Sequence, residues 1–245
     1  MAQTEIVNLS FVQKHIGYEN LGLVWLSLAS GCTDVLSFLK LGDVFTSAMT
    51  GNTALLAIAI GRGQMLAASR SLTALLGFML GAALATLVYT PGHGKHNTRR
   101  TIRHLLLIEL FFLGSCAALW SISRYQAQGS TLYIVILLSA VSMGIQGVGA
   151  RRINSPGIST IVFTSVLISM VMSLTSKMGR PVVAPAPPAS AKTHFGTFAA
   201  YGCGAALAGL LVSHYLGCLI WIPMAAVLLA LGCWELACKR ERNTQ

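Results

Sequence analysis

Residues 21–40 read LGLVWLSLASGCTDVLSFLK, and this stretch decides the class of fold. It contains no basic side chain before Lys40 at its end. Its length is about that needed to cross a hydrocarbon layer ~30 Å thick. The stretch therefore predicts a transmembrane helix.

Apolar runs of similar length recur along the chain. We place eight spans near residues 21–40, 44–61, 71–90, 104–122, 131–150, 157–176, 195–216 and 218–238. No Lys or Arg lies inside a span except at an end, and only 10% of the residues are charged, against about 25% in soluble domains. The sequence therefore predicts an all-α, polytopic transmembrane helical bundle. About eight spans are expected, and six or seven stay open because only residues 41–43 separate the first two.

The charges predict the partner and the orientation. The net charge is +10, from 17 Lys/Arg and 7 Asp/Glu, and the basic residues lie between the apolar runs. There they can anchor helices to anionic lipid headgroups, so we expect the lipid bilayer as partner and no nucleic acid. With eight spans, ten basic residues share the side of the termini and seven the other, which slightly favours N-in, C-in in the inner membrane. The basic loop 91–103 opposes this orientation.

Three matches in the same order indicate an internal duplication. A polar stripe with spacing i, i+3, i+7, i+10 occurs in the first span and, 112 residues later, in the fifth: Ser27, Ser30, Asp34 and Ser37, then Ser139, Ser142, Gln146 and Gly149. TSAMT at 46–50 is matched by TIVFT at 160–164. GAALA occurs at 81–85 and 204–208, and each copy has an aromatic residue three positions before it, Phe78 and Tyr201. We expect two tandem repeats. Four spans in each would make them parallel, whereas three crossings in each would make them inverted.

This duplication gives the domain organisation. A polar N-terminal tail, residues 1–20, precedes the first transmembrane repeat at 21–122. The second repeat covers 131–238, and residues 239–245 form a basic C-terminal tail. Residues 181–191 hold four of the seven prolines and predict an extended hinge inside the second repeat.

Asp34 is the main candidate for a functional site, because it is the acidic residue deep in the first apolar run. Ionisable side chains within a span cost several kcal/mol and are functional hypotheses by default. Asp34 either binds a proton or a cation beside a polar cavity, or it forms structural hydrogen bonds with Ser or Thr of a neighbouring helix.

Other polar residues are expected to join this site. Gln146 has the matching place in the second repeat, where it either binds a solute or links helices. Small and polar residues interrupt the second span, and among them Thr50 and Asn52 either contact a solute or allow close helix packing. Thr164 is the corresponding candidate in the second repeat.

Three more charged residues have readier explanations. Glu109 lies about six residues into the fourth predicted span, near one membrane interface, where helix capping or pairing with Arg103 or His104 explains it. Arg151 and Arg152 begin a loop, where they either anchor the helix to phosphate headgroups or gate an anionic substrate.

Catalytic and metal-binding motifs are absent from the sequence. There is no H-E-x-x-H, Walker A or G-x-S-x-G motif, and the histidines lack metal-ligand spacing. The six cysteines lie in apolar runs without a C-x-x-C pair. We therefore expect no enzyme activity, no cofactor and no metal site.

Several of these segments together resemble a known family. They are Asp34, Phe45, MTGNT at 49–53, GIQ at 144–146 and TIVFT at 160–164. In them the chain is similar to the YoaK-type family of bacterial integral membrane proteins, domain of unknown function 1275, over residues 21–236. It departs from that pattern at Gly147, where Asn would be usual, and at Ser165, where Gly would be usual. The resemblance implies a multi-span inner-membrane protein without an established substrate.

These observations favour a secondary transporter of a small solute, coupled to H⁺ or a cation that binds Asp34. The residues expected to contact the solute at mid-depth are Thr50, Asn52, Gln146 and Thr164. One alternative is a non-catalytic membrane partner or assembly subunit. Another is an intramembrane enzyme, which would require Asp34 and Glu109 to converge. The sequence leaves open whether the chain forms a homo-oligomer.

Overall fold

The computed structural model describes residues 2–88, 95–153 and 191–242, with the side chains of 17–88, 99–152, 193 and 195–240. The sixth predicted span, Thr164 and residues 181–190 of the predicted hinge lie outside these residues, and residue 191 of that hinge begins a helix. Every regular element in the described residues is a helix, so the all-α prediction is confirmed.

Seven helices of 13 or more residues and one helical turn make up the described chain. They are α1 (Ala2–Lys40), α2 (Met49–Gly61), α3 (Met65–Val88), α4 (Lys95–Ile122), α5 (Gly129–Ile153), α6 (Ala191–Leu211), α7 (Leu216–Leu219) and α8 (Ile222–Arg242). Five stretches are long and apolar enough to cross a membrane: Gly17–Lys40, Met65–Val88, Arg99–Ile122, Gly129–Arg152 and Leu216–Arg240. Met49–Gly61 and Phe195–Leu211 are shorter apolar helices.

The predicted second span, residues 44–61, is not one continuous helix. Residues 41–48 form turns, and α2 begins only at Met49. With 13 residues and a rise of 1.5 Å per residue, α2 is about 20 Å long. A helix of this length is shorter than the ~30 Å hydrocarbon layer and does not cross it alone.

Helix α1 packs between α6 and α8. It runs parallel to α6, because Val24 lies against Gly196 near the start of α6 and Leu36 clusters with Ala208 farther along. It runs antiparallel to α8, because Leu36, near the end of α1, shares that cluster with Ile222, the first residue of α8.

Helix α5 packs between α3 and α4. It runs parallel to α3, because the hydroxyl groups of Ser69 and Tyr133, both in early turns of their helices, lie 2.7 Å apart. It runs antiparallel to α4, because the thiol of Cys116, late in α4, lies 3.7 Å from the backbone oxygen of Val135, early in α5.

The long helices alternate in direction along the chain. The indole N–H of Trp234, late in α8, donates to the backbone oxygen of Arg99, early in α4, at 3.3 Å, so α4 and α8 are antiparallel. Helices α1, α4 and α6 therefore point one way, and α3, α5 and α8 point the other. We call the end of the bundle where α1 starts and α8 finishes the terminal face, and the opposite end the Lys40 face.

Two helix pairs, α1 with α6 and α3 with α5, touch backbone to backbone at glycines. In each pair, a Cβ atom added to a glycine of either helix would collide with a carbonyl oxygen of the other. The contacts are Gly31 with Tyr201 and Gly204 with Leu28 in the first pair, and Gly144 with Phe78 and Gly81 with Val141 in the second. Small residues permit this close packing, which is common between transmembrane helices.

Candidate functional site

The site begins where α1 ends and the chain turns back beside it. Gly42 and Asp43 have φ of 84° and 60°, a left-handed conformation that stops the helix. The ring of Phe45 then stacks on the ring of Phe38, with centroids 4.9 Å apart. We call residues 41–48 the return loop, because they lead the chain back into the bundle before α2 starts.

Asp34 holds the far end of the return loop. Its side chain is fully buried. One carboxyl oxygen, Oδ1, accepts the backbone N–H groups of Thr46 at 2.8 Å and Ser47 at 2.7 Å. The other, Oδ2, accepts the hydroxyl groups of Ser47 at 2.6 Å and Tyr201 at 2.9 Å. Asp34 therefore joins α1, the return loop and α6.

The two oxygens of Asp34 meet donors of different kinds. The N–H groups at Oδ1 are fixed by the backbone and can only donate. The hydroxyl groups at Oδ2 can rotate and can also accept a hydrogen bond. If Oδ2 is protonated, its O–H group can therefore donate a hydrogen bond to the hydroxyl oxygen of Ser47 or Tyr201, while Oδ1 keeps both of its backbone donors.

The helix that follows starts inside the bundle. Asp34 lies six residues before the last residue of α1, which corresponds to about 9 Å along the helix. Since Thr46 and Ser47 bind Asp34, the start of α2 lies at about that depth from the Lys40 face. The positive end of the α2 dipole is thus near the carboxyl group.

Asn52 closes the return loop. Its Oδ1 accepts the backbone N–H of Phe45 at 2.9 Å, and its Nδ2 donates to the backbone oxygen of the same residue. Gly51 leaves room for the Phe45 ring, since a Cβ there would stand 3.0 Å from it. Thr50 is exposed, so the structure does not bring its side chain into the buried site.

Gln146 connects the two predicted repeats. Its Nε2 donates to the backbone oxygen of Leu26 and to the hydroxyl of Ser30, both at 2.8 Å. Ser30 lies one helical turn before Asp34 on α1, so both belong to the predicted polar stripe. Gln146 is 1% exposed, and its Oε1 has no hydrogen-bond partner in the described structure.

Glu109 does not lie near the membrane interface, where the sequence predicted it. It lies midway along the stretch Arg99–Ile122, because α4 begins earlier than predicted, and its side chain is fully buried. The predicted pairing with Arg103 is wrong, because the Nε of Arg103 lies 3.2 Å from Glu235 instead. Neither carboxyl oxygen of Glu109 has a hydrogen-bond partner in the described structure, so it shares no hydrogen bond with Asp34.

Two of the remaining candidates, Arg151 and Arg152, lie apart from Asp34. Arg151 and Arg152 are exposed in the last turn of α5, where a positive charge favours the helix dipole. Thr164 lies outside the described residues.

A cavity of about 20 Å³ is lined by Thr33, Ser37 and Ser139 among apolar side chains, and it has room for one water molecule.

Three residues of the site were not predicted. Thr46 and Ser47 were noted for the repeat and Tyr201 for the aromatic position that precedes GAALA, but none was expected to bind Asp34. The difference between Tyr201 and Phe78, which precede the two copies of GAALA by three residues, is the sequence signal that could have pointed to the Tyr201 hydroxyl.

Comparison with known proteins identifies the family. The family described as "Protein of unknown function (DUF1275)" matches residues 22–233. The chain is also 38% identical over 164 residues to the UPF0700 transmembrane protein YoaK of Bacillus subtilis (strain 168), an alignment covering 66% of this chain and 69% of that protein. No solved structure matches. The predicted resemblance is confirmed, and the chain, a multi-pass membrane protein, belongs to the DUF1275 family.

Proposed function

We propose that the protein is a secondary transporter that couples a small solute to protons, with Asp34 as the proton site. The observation that carries the proposal is the hydrogen-bonding of Asp34, a buried carboxyl group that fixes the start of a short helix inside the bundle. Discontinuous helices that begin near the membrane midplane are typical of substrate sites in transporters. The solute would enter where α2 begins.

Protonation of Asp34 would weaken its hold on the return loop. The carboxylate accepts four hydrogen bonds of 2.9 Å or shorter and a longer one, of 3.5 Å, from the Thr46 hydroxyl. Hydrogen bonds to a charged acceptor are stronger than those to a neutral one. A proton at Oδ2 removes that charge and reverses one of the hydroxyl bonds, from Ser47 or Tyr201. The loop and the start of α2 could then separate from α6. The conformation described here is the closed one in this scheme.

The helix directions favour six crossings by the helices that the structure describes. Helices α1, α3, α4, α5, α6 and α8 alternate in direction, whereas α2 begins inside the bundle and returns to the Lys40 face before α3 starts there. Three of these crossings belong to each half, and the first half also contains the short helix α2. An odd number of crossings per half would make the repeat inverted.

The basic residues support this topology. Eleven lie on parts of helices at the terminal face: Lys14, Lys95, Arg99, Arg100, Arg103, Arg151, Arg152, Lys192, Lys239, Arg240 and Arg242. Four lie at the Lys40 face: Lys40, Arg62, Arg70 and Arg124. Lys177 and Arg180 are outside the described residues. The positive-inside rule then gives N-in, C-in, and the loop at 91–103 no longer opposes it.

The helix contacts also support a duplication, with a register shifted by one residue. Gly144 and Val141 follow Gly31 and Leu28 by 113 residues, and they make the matching contacts in the other helix pair. The predicted stripe used an offset of 112. An offset of 113 makes Gly147, rather than Gln146, the counterpart of Asp34.

With this register the proton site would exist in only one of the two matching helix pairs, α1 with α6. Tyr201 corresponds to Phe78, so the pair Asp34 and Tyr201 becomes Gly147 and Phe78 in the other helix pair, α5 with α3. Both partners of the hydrogen bond are replaced together. We propose that Asp34 of the first repeat binds the proton and that the first repeat moves relative to the second during transport.

Transport can be tested in proteoliposomes that contain a pH-sensitive dye. Amino acids, carboxylates, sugars, nucleosides and polyamines would be added class by class. We expect proton movement that depends on one class of solute, and we expect Asp34→Asn to abolish it while the protein remains folded. Asp43→Asn is the matched control, because it makes the same chemical change at an exposed position in the return loop.

Two results would contradict this proposal. Unchanged solute-dependent proton movement in Asp34→Asn would remove Asp34 from the proton path. No solute-dependent movement with any class would contradict transport and favour the role of membrane partner or assembly subunit.

The topology can be tested by labelling single cysteines with an impermeant maleimide, in a variant without the six native cysteines. Gln64→Cys and Gln126→Cys place the thiol in exposed turns at the Lys40 face, and Lys239→Cys places it at the terminal face. Six crossings with N-in predict labelling from outside at the first two sites only. The eight-span arrangement predicts that all three are protected.

A further inference from the structure

A cavity of about 490 Å³ lies at the terminal face, between the first turns of α4 and the last turns of α8. It is separate from the Asp34 site. Its lining includes Arg99, Arg100, Arg103, His104, Leu107 and Trp234. Three arginine side chains and a histidine around one cavity are unusual in a chain with only 10% charged residues.

Positive charge dominates the cavity. Glu235 is the acidic residue in its lining, and it pairs with the Nε of Arg103 at 3.2 Å. That ion pair is partly exposed, so its contribution to stability is small and an anionic ligand can compete for it. Guanidinium groups bind phosphate oxygens through two parallel hydrogen bonds, which makes arginine clusters suited to phosphate.

The inner wall of the cavity is apolar. Trp234 is 6% exposed, and its indole N–H donates to the backbone oxygen of Arg99. This hydrogen bond holds the start of α4, which carries the arginines, against α8. Leu107 continues the wall one turn beyond Arg103 along α4. A cationic rim above an apolar wall fits a ligand that has an anionic phosphate next to an apolar body.

We propose that this cavity binds the phosphate group of an anionic ligand. Two sources have this chemistry: the headgroup of an anionic phospholipid and a soluble phosphate ester. Basic pockets between transmembrane helices at the cytoplasmic side are suited to the first source, and the proposed N-in orientation puts the cavity on that side. The volume of the cavity is within the range of small-molecule sites.

Thermal unfolding of the purified full-length protein tests the proposal. Mixed micelles would contain phosphatidylglycerol or, as the neutral reference, phosphatidylcholine, and a separate series would contain glycerol 3-phosphate at constant ionic strength. We expect the anionic probe to raise the unfolding temperature of the wild type. The variant Arg100→Gln/Arg103→Gln should need at least about tenfold more of the anionic probe for the same increase in unfolding temperature.

The matched control is Arg151→Gln/Arg152→Gln, which removes two arginines from the same face outside the cavity lining. Because these two arginines can anchor α5 to headgroups, this control measures binding outside the cavity, and it should lose much less of the response than the cavity variant. A response to phosphatidylglycerol alone identifies the lipid as the source, and a response to glycerol 3-phosphate in neutral lipid identifies the soluble ester. An equal loss in both double variants, or no response to either probe, overturns the proposal. If the double variant does not fold, Arg100→Gln alone gives the same test.

Discussion

Asp34 and Glu109 are both fully buried carboxyl groups within apolar helices, yet their surroundings are opposite. Asp34 accepts four hydrogen bonds of 2.9 Å or shorter, from the return loop and from Tyr201 of α6. Glu109 accepts none in the described structure. Gln146 is intermediate, since its Nε2 has two acceptors and its Oε1 has no partner.

The difference shows that burial and hydrogen bonding are separate properties of such a group. Four donors make the Asp34 carboxylate part of the fold, and any change of its protonation acts on the loop that it holds. Within the residues that the structure describes, Glu109 stabilises no neighbour by hydrogen bonds. Its burial therefore costs free energy that other contacts of α4 must offset. Substitutions at the two positions should consequently change stability in opposite directions.

The largest effect is expected for Asp34→Ala. It leaves two backbone N–H groups and two hydroxyl groups in a buried site without their acceptor, and each unsatisfied donor costs ~1–3 kcal/mol. We expect a loss of at least about 3 kcal/mol in the free energy of unfolding, measured by denaturant titration in detergent.

Asp34→Asn provides the matched comparison. Its amide oxygen can still accept both backbone donors, and its NH₂ group can donate to hydroxyl groups that rotate. The expected loss is only about 1 kcal/mol. Equal losses for the two variants would show that the charge, and not the pattern of acceptors, stabilises the loop.

Glu109→Met should raise stability. The replacement has a similar size, and it removes two buried oxygens that have no hydrogen-bond partner in the described structure. We expect a gain of about 1–2 kcal/mol in the same titration, and little change for Glu109→Gln, which keeps a buried polar group. A loss of stability in Glu109→Met would reveal a partner that binds Glu109 in the folded protein.

The class of fold was predictable because a membrane-spanning helix needs only apolar composition and length. The return loop was not, because the run 44–61 contains no charged residue, and its break depends on the turn at Gly42 and on donors satisfied by Asp34. Glu109 was misplaced for a related reason. The start of the fourth span was set after the arginines, whereas α4 begins at Lys95 and carries them along its first turns.

The hydrogen-bond partners of a buried residue were harder to predict than its depth in the membrane. Asp34 was expected within the membrane, and both its alternatives, ion site and structural acceptor, were stated. Tyr201 is 167 residues away from it, and only the packing of α6 on α1 brings them together. The tandem repeat predicted from the stripe stays a prediction, and the glycine contacts give it a testable register.

Tyr201→Phe should have a smaller effect than Asp34→Ala. It removes one of the two rotatable donors at Oδ2 and copies the residue found at Phe78. Ser47 remains to donate to the same oxygen, so we expect a loss of about 1 kcal/mol in unfolding free energy. A loss as large as that of Asp34→Ala would mean that α6, and not the return loop, is the main partner of Asp34.

Gln146→Met should have the smallest effect. It tests whether Gln146 is intermediate between Asp34 and Glu109 in how well its polar atoms are hydrogen-bonded. The substitution removes two hydrogen bonds to α1, but it also removes an Oε1 atom that has no partner in the described structure. These contributions oppose each other, so the free energy of unfolding should change by less than about 1 kcal/mol. Ser30→Ala is the matched control, because it removes one acceptor of Nε2 and leaves the unsatisfied oxygen in place. It should therefore destabilise the protein more than Gln146→Met, and the reverse order would show that Oε1 has a partner in the folded protein.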